Sequence, residues 1–498
     1  MKKNLRVLFV SSELAPFAKV GGLADVSYAL PRALAQAGVD VRIVVPLYRR
    51  ALEHIRSGGI SYHPLLDGLS VELGHRKWKF SVVETILPRT KPGVPCYFVV
   101  QPDLYDRPGI YTSAPDEHIR FCLLQWAALK ICQYLSFSPH IVHANDWQTA
   151  LLPLMIKTAF AWDQLFSTTK TVLSIHNIGH QGVFPASILH ETGLAQVKEH
   201  FHQEQLSSGK INFLLTGILY ANLIITVSPT YAREIKTPEH GVGLDPFLRA
   251  RGHAVLGILN GIDEEIWNPA TDQWIEQPYD ENRIELKEKN KEALCRDFRI
   301  SYDPKAPLFG IVSRLVWQKG FDLCIQVFPS FLATTNSRLV VLGAGEAKYE
   351  QFFRDLAIRF SDRVGFYAGF SEPLAHRIEA GADFFVMPSR YEPCGLNQMY
   401  SLRYGTLPVV HRTGGLADTV RLIRSALDPN DQGNGVVFDH FDAGGLSWAL
   451  KWALQLWGSG DGMDRERFRA LQRKAMRERN GWQERVQEYL RAYQMLLQ

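Results

Sequence analysis

Cationic side chains and glycines occur together in two short segments, each of which follows a strand-like apolar run. These segments are Lys19–Asp25 (KVGGLAD) and Ser313–Gly320 (SRLVWQKG). Glycines let a backbone approach a ligand closely, and a helix start offers N–H groups and partial positive charge. Arg314 adds a planar fork and the lysines add point charges, so both segments suit a diphosphate. The alternatives are a plain tight turn for the first segment and a solvated loop for the second.

A carboxylate and a cysteine follow a third apolar run, in Pro388–Leu396 (PSRYEPCGL). Glu392 precedes a proline, so we expect it on the loop rather than in the helix that follows. Cys394 would need a histidine partner to act as a nucleophile, and no sequence feature assigns one. A structural or ligand-contacting cysteine is therefore the favoured interpretation.

Two further segments, His143–Trp147 (HANDW) and Ser174–Asn177 (SIHN), also place polar groups directly after apolar runs. A carboxylate, imidazoles and amides gathered there are suited to binding sugar hydroxyls. The alternative for His143 and His176 is a core histidine whose hydrogen bonds are satisfied inside the protein.

The elements that position these side chains are short apolar runs that alternate with helix-like stretches. The runs are Val7–Val10, Val39–Val45, Cys96–Val100, Ile141–His143, Thr171–Ile175, Leu223–Val227, Val255–Leu259, Leu308–Val312, Arg338–Leu342, Phe384–Met387, Leu407–Val410 and Val436–Phe438. Such runs are typical of parallel strands covered on both faces. Two series of them predict an α/β protein with two doubly wound, Rossmann-like domains. Ligands should then bind at the carboxyl ends of the strands, where the polar segments fall.

The boundary between the two series lies in a polar stretch, and we place the hinge at 253–265. Gly21–Asp25 recurs as Gly414–Asp418, each copy between a strand-like and a helix-like run. This repeated motif favours two similar halves that face each other across a cleft. The tail from Asp464 is helical in pattern, and its aromatic stripe of Trp482, Tyr489 and Tyr493 should pack on a domain.

Composition excludes several classes of protein. The chain has 498 residues, 46% of them hydrophobic and 21% charged, with 55 basic and 51 acidic residues, which is typical of a globular protein without a polyanion-binding bias. Met1-Lys2-Lys3 could begin a signal peptide, but the apolar run that follows is too short, and no run reaches membrane-spanning length. The six cysteines are scattered, which favours a reducing compartment. Neither glycine-rich segment matches the dinucleotide or P-loop fingerprint.

At this point the sequence resembles the bacterial glycogen synthases and plant starch synthases, over nearly the whole chain. The matching motifs are Ser11–Glu13, Lys19–Leu23, Asn145–Trp147, His176–Ile178, Asn260–Asp263, Ser313–Leu315, Gln318–Gly320, Glu392–Leu396 and Thr413–Leu416. The resemblance implies the two-Rossmann-domain (GT-B) fold, with an acceptor domain at 1–255, a nucleotide-sugar domain at 256–475 and a C-terminal helix at 476–498 that packs back on the first domain.

The resemblance also implies an activity: transfer of glucose from ADP-glucose to the non-reducing 4-hydroxyl of an α-1,4-glucan or maltooligosaccharide, with retention of anomeric configuration and release of ADP. Retention requires either a carboxylate nucleophile or front-face attack by the acceptor. The residues do not decide between these routes, and the family's favoured account is front-face attack.

Residue roles carry over from the same resemblance. Lys19, Arg314 and Lys319 would hold the diphosphate, Glu392 and His176 would contact the donor glucose, and Asp146 would lie near the acceptor and the reacting centre. The other residues expected at the substrates are Glu13, Gly21, Gly22 and Asp25 at the sugar end, Asn260, Phe370 near adenine, Cys394, Gly395 and Leu396 beside glucose or nucleotide, Thr413, Gly414, Gly415 and Leu416 beside the phosphates or sugar, and Tyr105, Asp106 and Tyr111 near the acceptor.

Some positions depart from the family pattern. Gln148 and Asn397 replace residues that are commonly His and Thr or Ile, and Tyr400 stands where many related transferases carry a second glutamate. Phe370 stands where bacterial members have a tyrosine, so it could stack on a base but not donate a hydrogen bond.

No cofactor or metal is expected, because the sequence has no D-x-D pair and the cations can neutralise the leaving group instead. Nucleic acid and membrane are not expected as partners, and the oligomeric state stays open. The compartment is expected to be the cytoplasm, or the plastid stroma for a plant-type form. The alternatives are a catalytically silent glucan-binding protein on the same fold and a glycosyltransferase with another donor.

Overall fold

Apolar strands of the first half of the chain build one mixed sheet. The computed structural model describes residues 5–428 and 430–498, so Met1-Lys2-Lys3 lies outside the described residues. The strands of the first half are β1 Arg6–Val10, β2 Asp40–Pro46, β3 His63–Leu73, β4 Arg76–Ile86, β5 Pro95–Val100, β6 Ile141–Asn145, β7 Lys170–Ile175, β8 Val183–Pro185, β9 Lys210–Asn212, β10 Leu223–Thr226 and β11 Val255–Gly257. Within the described part, nine of them pair in the order β11-β10-β7-β6-β1-β2-β5-β4-β3, and β8 pairs with β9 separately.

Strands of the second half form a fully parallel sheet. They are β12 Leu308–Val312, β13 Arg338–Gly343, β14 Val364–Ala368, β15 Phe384–Met387, β16 Leu407–His411 and β17 Val436–Phe438. Their order, β14-β13-β12-β15-β16-β17, is that of a doubly wound Rossmann sheet, in which the chain moves outward from β12 and then returns to pair β15 beside it. These strands are largely buried, because helices cover both faces, except β14, whose second half is exposed.

Helices connect the strands in both halves. They are α1 Gly22–Gln36, α2 Arg49–Ser57, α3 Pro102–Tyr105, α4 Glu117–Tyr134, α5 Leu152–Lys157, α6 Gln203–Ser207, α7 Phe213–Tyr220, α8 Pro229–Glu234, α9 Asp245–Ala250, α10 Lys287–Asp297, α11 Phe321–Thr334, α12 Ala347–Arg359, α13 Glu372–Gly381, α14 Asn397–Arg403, α15 Gly414–Thr419, α16 Ala443–Trp457, α17 Gly462–Met476 and α18 Trp482–Leu497. Among the described helices, none combines the length and the apolar character that a membrane crossing requires.

The prediction of purely parallel sheets is wrong for one edge of the first sheet. β3 pairs antiparallel with β4, and β4 pairs antiparallel with β5. The two edge strands were not predicted because they alternate buried and exposed residues instead of forming continuous apolar runs. Alternation is what an antiparallel strand with one solvated face requires.

Contacts divide the chain into two units. The first contains the chain up to Gly261 together with Trp482–Gln498, and the second is Ile262–Gly481. The C-terminal helix α18 therefore returns to the first unit, as the fold prediction stated. Its aromatic stripe is buried there, with Tyr489 and Tyr493 at most 1% exposed. The tail from Asp464, which is helical in pattern, contains two helices, most of α17 followed by α18.

Candidate active site

In the first unit several of the predicted site residues follow strands β1 and β6, which are neighbours at the centre of the sheet. β1 leads into Glu13 and the loop before α1, and β6 ends at Asn145 and Asp146. The chain leaves β1 toward β2 on one side and returns to β6 on the other, so this is a topological switch point. Ligands of open α/β sheets bind at the carboxyl ends of strands at such a point.

Glu13 organises the glycine loop rather than standing free in the site. Its Oε2 accepts hydrogen bonds from the main-chain N–H groups of Val20 (2.7 Å) and Gly21 (3.0 Å). Its Oε1 accepts from the Tyr111 hydroxyl at 2.6 Å. Burial raises the pKa of Glu13, and the three hydrogen bonds oppose that rise because they favour the ionised form. The Val20 and Gly21 amides, which the sequence suggested for a phosphate, are therefore engaged by this carboxylate.

Lys19 lies at the surface of the same loop. Its Nζ is 2.7 Å from Oδ1 of Asp25, and the two side chains are 44% and 30% exposed. A lysine this exposed remains hydrated and can exchange Asp25 for another anion at little cost.

Asp146 has an unusual backbone conformation. Its φ of 55° and ψ of −172° fall in a region that residues other than glycine rarely adopt. The residue is held by its own N–H, which donates to the Ser174 carbonyl at 2.8 Å, and by Oδ1, which accepts from the His176 N–H at 2.7 Å. Burial raises the pKa of Asp146 to about 7, although hydrogen bonds from the His176 and Asn177 main chain lower it.

The two histidines of this unit have different surroundings. His143 is fully buried, with Nδ1 at 2.6 Å from the Tyr493 hydroxyl and Nε2 at 2.7 Å from Ser174 Oγ. It is a satisfied core histidine, the alternative that the sequence left open. His176 is partly buried and its Nε2 lies 3.0 Å from Asn145 Oδ1. Burial lowers the pKa of His176 to about 4, so its imidazole is neutral at pH 7 and can hydrogen-bond a sugar hydroxyl.

Three further residues of the first unit that were predicted at the substrates separate into core and surface positions. Tyr105 is fully buried and its hydroxyl donates to the Arg120 carbonyl at 2.7 Å, which is a packing role. Asp106 is exposed and accepts from Arg49 Nε at 2.6 Å. Asn260 is buried, and its Oδ1 has no hydrogen-bond partner among the described residues. An unpartnered buried acceptor is costly, so Asn260 is suited to receive a ligand hydroxyl.

In the second unit the central pair of strands is β12 and β15, again at the switch point. Lys319 follows β12 and Glu392 follows β15. Lys319 Nζ lies 2.5 Å from Glu392 Oε2, and the two side chains are 18% and 8% exposed. Ser389 Oγ donates to the same carboxylate oxygen at 3.0 Å. The carboxylate and the cation thus form a partly buried pair at the position where this sheet binds ligands. Glu392 lies on the loop, as predicted, because α14 begins only at Asn397.

Glycines allow the loops of this unit to touch one another. A Cβ on Gly414 would overlap the Glu392 carbonyl oxygen, and one on Gly415 would overlap that of Cys394. Gly320 likewise lies directly against the Pro388 carbonyl, with φ of 74°. Gly415 N–H donates to the Glu392 carbonyl at 3.0 Å. The glycines therefore fix the loop that carries Glu392, a role the sequence did not predict for them.

Other predicted residues of the second unit vary in exposure. Arg314 is exposed, and its charge opposes the burial that raises the pKa of Tyr391. Phe370 is 78% exposed, which leaves a ring face open for stacking. Cys394, Thr413 and Leu416 are buried, and Leu416 packs with Val410, Val420 and Val437, so only its main chain can face a ligand. Gly395 (φ 71°) and Leu396 lead into α14.

Sequence reasoning missed two residues that support the Lys319–Glu392 pair. Ser389 bonds Glu392 from three residues earlier. The Arg390 guanidinium lies 4.2 Å from the ring centre of Trp317 and 4.3 Å from that of Phe441. The main-chain N–H of Arg390 donates to the Gln318 carbonyl at 2.9 Å. Arg390 therefore ties the Lys319 loop to the Glu392 loop. The Ser-Arg-x-Glu spacing can be read from the sequence, but the aromatic rings on which Arg390 stacks, Trp317 and Phe441, come from distant segments.

Two departures from the family pattern have structural roles. Asn397 Nδ2 donates to the Val312 carbonyl at 2.7 Å and so joins the start of α14 to the end of β12. The Tyr400 ring stacks on Trp267, with ring centres 3.8 Å apart. A glutamate at position 400 would lose this stacking.

Comparison with known proteins places the chain in a family. The starch synthase catalytic domain model matches residues 6–250, and the glycosyl transferases group 1 model matches residues 297–474. A glycogen synthase of Thermotoga maritima is 42% identical over 497 residues, covering 99% of each chain. A glycogen synthase of Myxococcus xanthus is also 42% identical, over 94% of this chain and 96% of its own length. The catalytic domain of starch synthase IV from Arabidopsis thaliana, solved with ADP and acarbose, superposes with a TM-score of 0.88, 31% identity and 99% coverage of both chains.

Two Rossmann-like units with charged loops at their switch points define a glycosyltransferase of the GT-B type. The family comparisons then make the identification specific. The chain belongs to the glycogen synthase and starch synthase family, as the sequence predicted.

Proposed function

We propose that this protein transfers glucose from ADP-glucose to the non-reducing 4-hydroxyl of an α-1,4-glucan, with retention of configuration. The observation that carries the proposal is the Lys319–Glu392 pair at the β12/β15 switch point, with Arg314 on the same loop as Lys319. Glycogen synthases at 42% identity and a starch synthase solved with ADP and acarbose support this donor and acceptor.

The leaving group requires positive charge. When the bond between glucose C1 and the diphosphate oxygen breaks, the electron pair goes to that oxygen, and a fixed cation stabilises it without proton transfer. We assign this role to Lys319 and Arg314, with Lys19 as a third cation. Glu392, which accepts a hydrogen bond from Ser389, holds the Lys319 ammonium in place before the donor arrives, so the cation needs little reorganisation.

The acceptor hydroxyl must lose its proton as it bonds to C1. We propose front-face attack, in which the acceptor 4-oxygen bonds to C1 and its proton passes to the leaving phosphate. Glu392 Oε2 already accepts from Lys319 and Ser389, which favours a holding role over that of a nucleophile. Neutral His176 and the Asn260 amide oxygen are the sugar-binding groups that we assign to this reaction.

No metal is needed in this scheme, because the three cations supply the charge. The six cysteines are all buried and form no disulfide, which fits a compartment that keeps thiols reduced. We accordingly place the reaction in the cytoplasm, or in the plastid stroma for a plant-type form.

The test is a donor panel. Purified protein is incubated with glycogen and ADP-glucose, UDP-glucose or GDP-glucose, and nucleoside diphosphate release is measured. We expect rapid ADP release that depends on glycogen. Faster release from another donor would assign a different transferase, and glycogen binding without release from any donor would show a silent binding protein.

A further inference from the structure

The C-terminal helix α18 is connected to the loop that carries Asp146 by a chain of buried hydrogen bonds. The Tyr493 hydroxyl is 2.6 Å from Nδ1 of His143, whose Nε2 is 2.7 Å from Ser174 Oγ. The Ser174 carbonyl in turn accepts the Asp146 N–H at 2.8 Å. Three residues thus lead from the last helix of the chain to the main chain of a predicted catalytic residue, entirely within the first unit.

From these contacts we propose that Tyr493 is a positioning residue for Asp146, acting through His143 and Ser174. The proposal rests on the proposed function, because it takes Asp146 to be part of the transferase site. A residue of the C-terminal helix α18 thereby sets the geometry of a loop that lies in the first third of the sequence.

The conformation of Asp146 explains why it needs such support. A residue other than glycine at φ 55° and ψ −172° is strained and persists only where its surroundings hold it. The N–H bond to Ser174 is one of the bonds that hold it, and the bond from His176 N–H to the Asp146 carboxylate is another. Movement of β7 at Ser174 would therefore loosen Asp146 directly.

The hydrogen-bonded side chains are all buried, and each His143 nitrogen has a hydroxyl partner. Tyr493, His143 and Ser174 are at most 2% exposed. Burial lowers the pKa of His143 to about 3, so its ring is neutral and has one N–H and one lone pair. A hydroxyl lies at each ring nitrogen, and hydroxyls can donate or accept, so both nitrogens are satisfied. Phe9 packs against the same ring at 5.0 Å between centres.

A purely structural alternative is that Tyr493 only docks α18 onto the sheet. Apolar contacts of the neighbouring stripe residues Trp482, Val486 and Tyr489 already bury the helix. Docking alone does not require the buried Tyr493–His143 hydrogen bond. An apolar pair of the same shape could replace it with little change in the free energy of unfolding. The two interpretations differ in what the hydroxyl group of Tyr493 does to the Asp146 loop.

The test compares Tyr493→Phe with Tyr489→Phe. Both remove one buried hydroxyl from the same helix, and the Tyr489 ring also lies beside His143, at 6.1 Å between centres. Both His143 nitrogens lie within hydrogen-bond distance of Tyr493 and Ser174, and Tyr489 contacts this histidine through its ring. The measurements are thermal unfolding, kcat and KM with ADP-glucose and glycogen, and hydrogen–deuterium exchange of the peptide that contains Asp146.

For Tyr493→Phe we expect kcat to fall about tenfold, with KM for ADP-glucose nearly unchanged, as is usual when an outer positioning group is lost. Amide exchange around Asp146 should become faster, whereas Tyr489→Phe should leave exchange and kcat close to the parent values. If Tyr493→Phe does not fold, Ser174→Ala removes the next link and should give the same exchange and kcat changes.

Parental exchange at Asp146 together with parental kcat in Tyr493→Phe would overturn the proposal. So would equal losses of kcat in the two tyrosine variants that follow only their unfolding temperatures. Exchange does not depend on turnover, so it still decides the matter if the parent protein proves inactive with ADP-glucose, a result that would instead refute the proposed function.

Discussion

The same pentapeptide, Gly-Gly-Leu-Ala-Asp, begins a helix in each unit, but its glycines have different neighbours in the two units. A Cβ on Gly21 would meet no atom within 4 Å, and the Gly21 N–H of this loop donates to the Glu13 carboxylate. At Gly414 and Gly415, the backbone is pressed directly against the Glu392–Cys394 turn. In the first unit the carboxylates Glu13 and Asp146 accept mainly main-chain N–H groups, whereas in the second unit Glu392 pairs with Lys319. Identical sequence therefore does not imply an identical role, because the neighbouring loops decide it.

The largest expected difference between the two copies is in folding stability. Gly415→Ala forces a Cβ into the Cys394 carbonyl and should destabilise the protein by about 3 kcal/mol or more while displacing Glu392. Gly21→Ala has open space and a φ of −147°, and the loss of a glycine N-cap offsets the gain from a stiffer unfolded chain, so its free energy of unfolding should change by less than about 1 kcal/mol.

Denaturant unfolding of the two variants measures this difference, with glycogen-dependent ADP release as a second readout. Equal destabilisation by both alanines would contradict the distinction between an open loop and a packed one.

The next largest effect should separate the two lysines. Lys319→Ala removes a cation held in a partly buried pair and should lower kcat about a hundredfold at saturating ADP-glucose. Lys19 is 44% exposed and solvated, so Lys19→Ala should lower kcat only about tenfold. Lys319→Ala should also reduce thermal stability, because Glu392 would be left buried without its partner.

Steady-state kinetics with both variants, and with Lys319→Arg as the charge-conserving control, provide the comparison. Parental kcat in Lys319→Ala at saturating donor would remove this lysine from the chemical step.

The smallest effect concerns the pH dependence of stability in the first unit. The folded-state pKa of Asp146 is about 7, well above the ordinary value of 3.8. Between these two pH values the folded protein binds a proton that the unfolded chain has released, so stability falls as the pH rises through this window. Asp146→Asn should remove this loss and raise stability at pH 8, while lowering activity.

Urea unfolding at pH 4 and pH 8 provides the check, with Asp103→Asn, an exposed carboxylate of the same unit, as the control. If Asp146→Asn shows the same pH dependence as the parent protein, the carboxyl group does not titrate as its burial implies.

Sequence patterns predicted much of this architecture because buried parallel strands leave a clear signal. Continuous apolar runs identified every strand of the second sheet except β14, whose second half, Tyr367–Ala368, is exposed. The hairpin β3–β4 was missed because its residues alternate between core and solvent. Loop positions followed from the same pattern, since a polar segment after a strand must lie at the edge of the sheet.

Details inside the loops were not predictable from residue types. The spacing of Glu13 and Gly21 does not reveal that the carboxylate binds the loop amides, because the turn between them decides which N–H groups it reaches. The Arg390 stack and the Tyr493–His143 bond join residues far apart in the sequence. Gly414 and Gly415 were expected near a ligand, but the close neighbours that require them are the Glu392 and Cys394 carbonyls.

The most direct test of the proposed glucosyl transfer is to identify the linkage in its product. The protein is incubated with ADP-glucose labelled with carbon-13 at C1 and a maltooligosaccharide, and the new linkage is identified by NMR spectroscopy. If the proposed transfer takes place, we expect a labelled α-1,4-linked glucose at the non-reducing end, in amounts equal to the ADP released. A β-linkage, or label that appears only as free glucose, would contradict it.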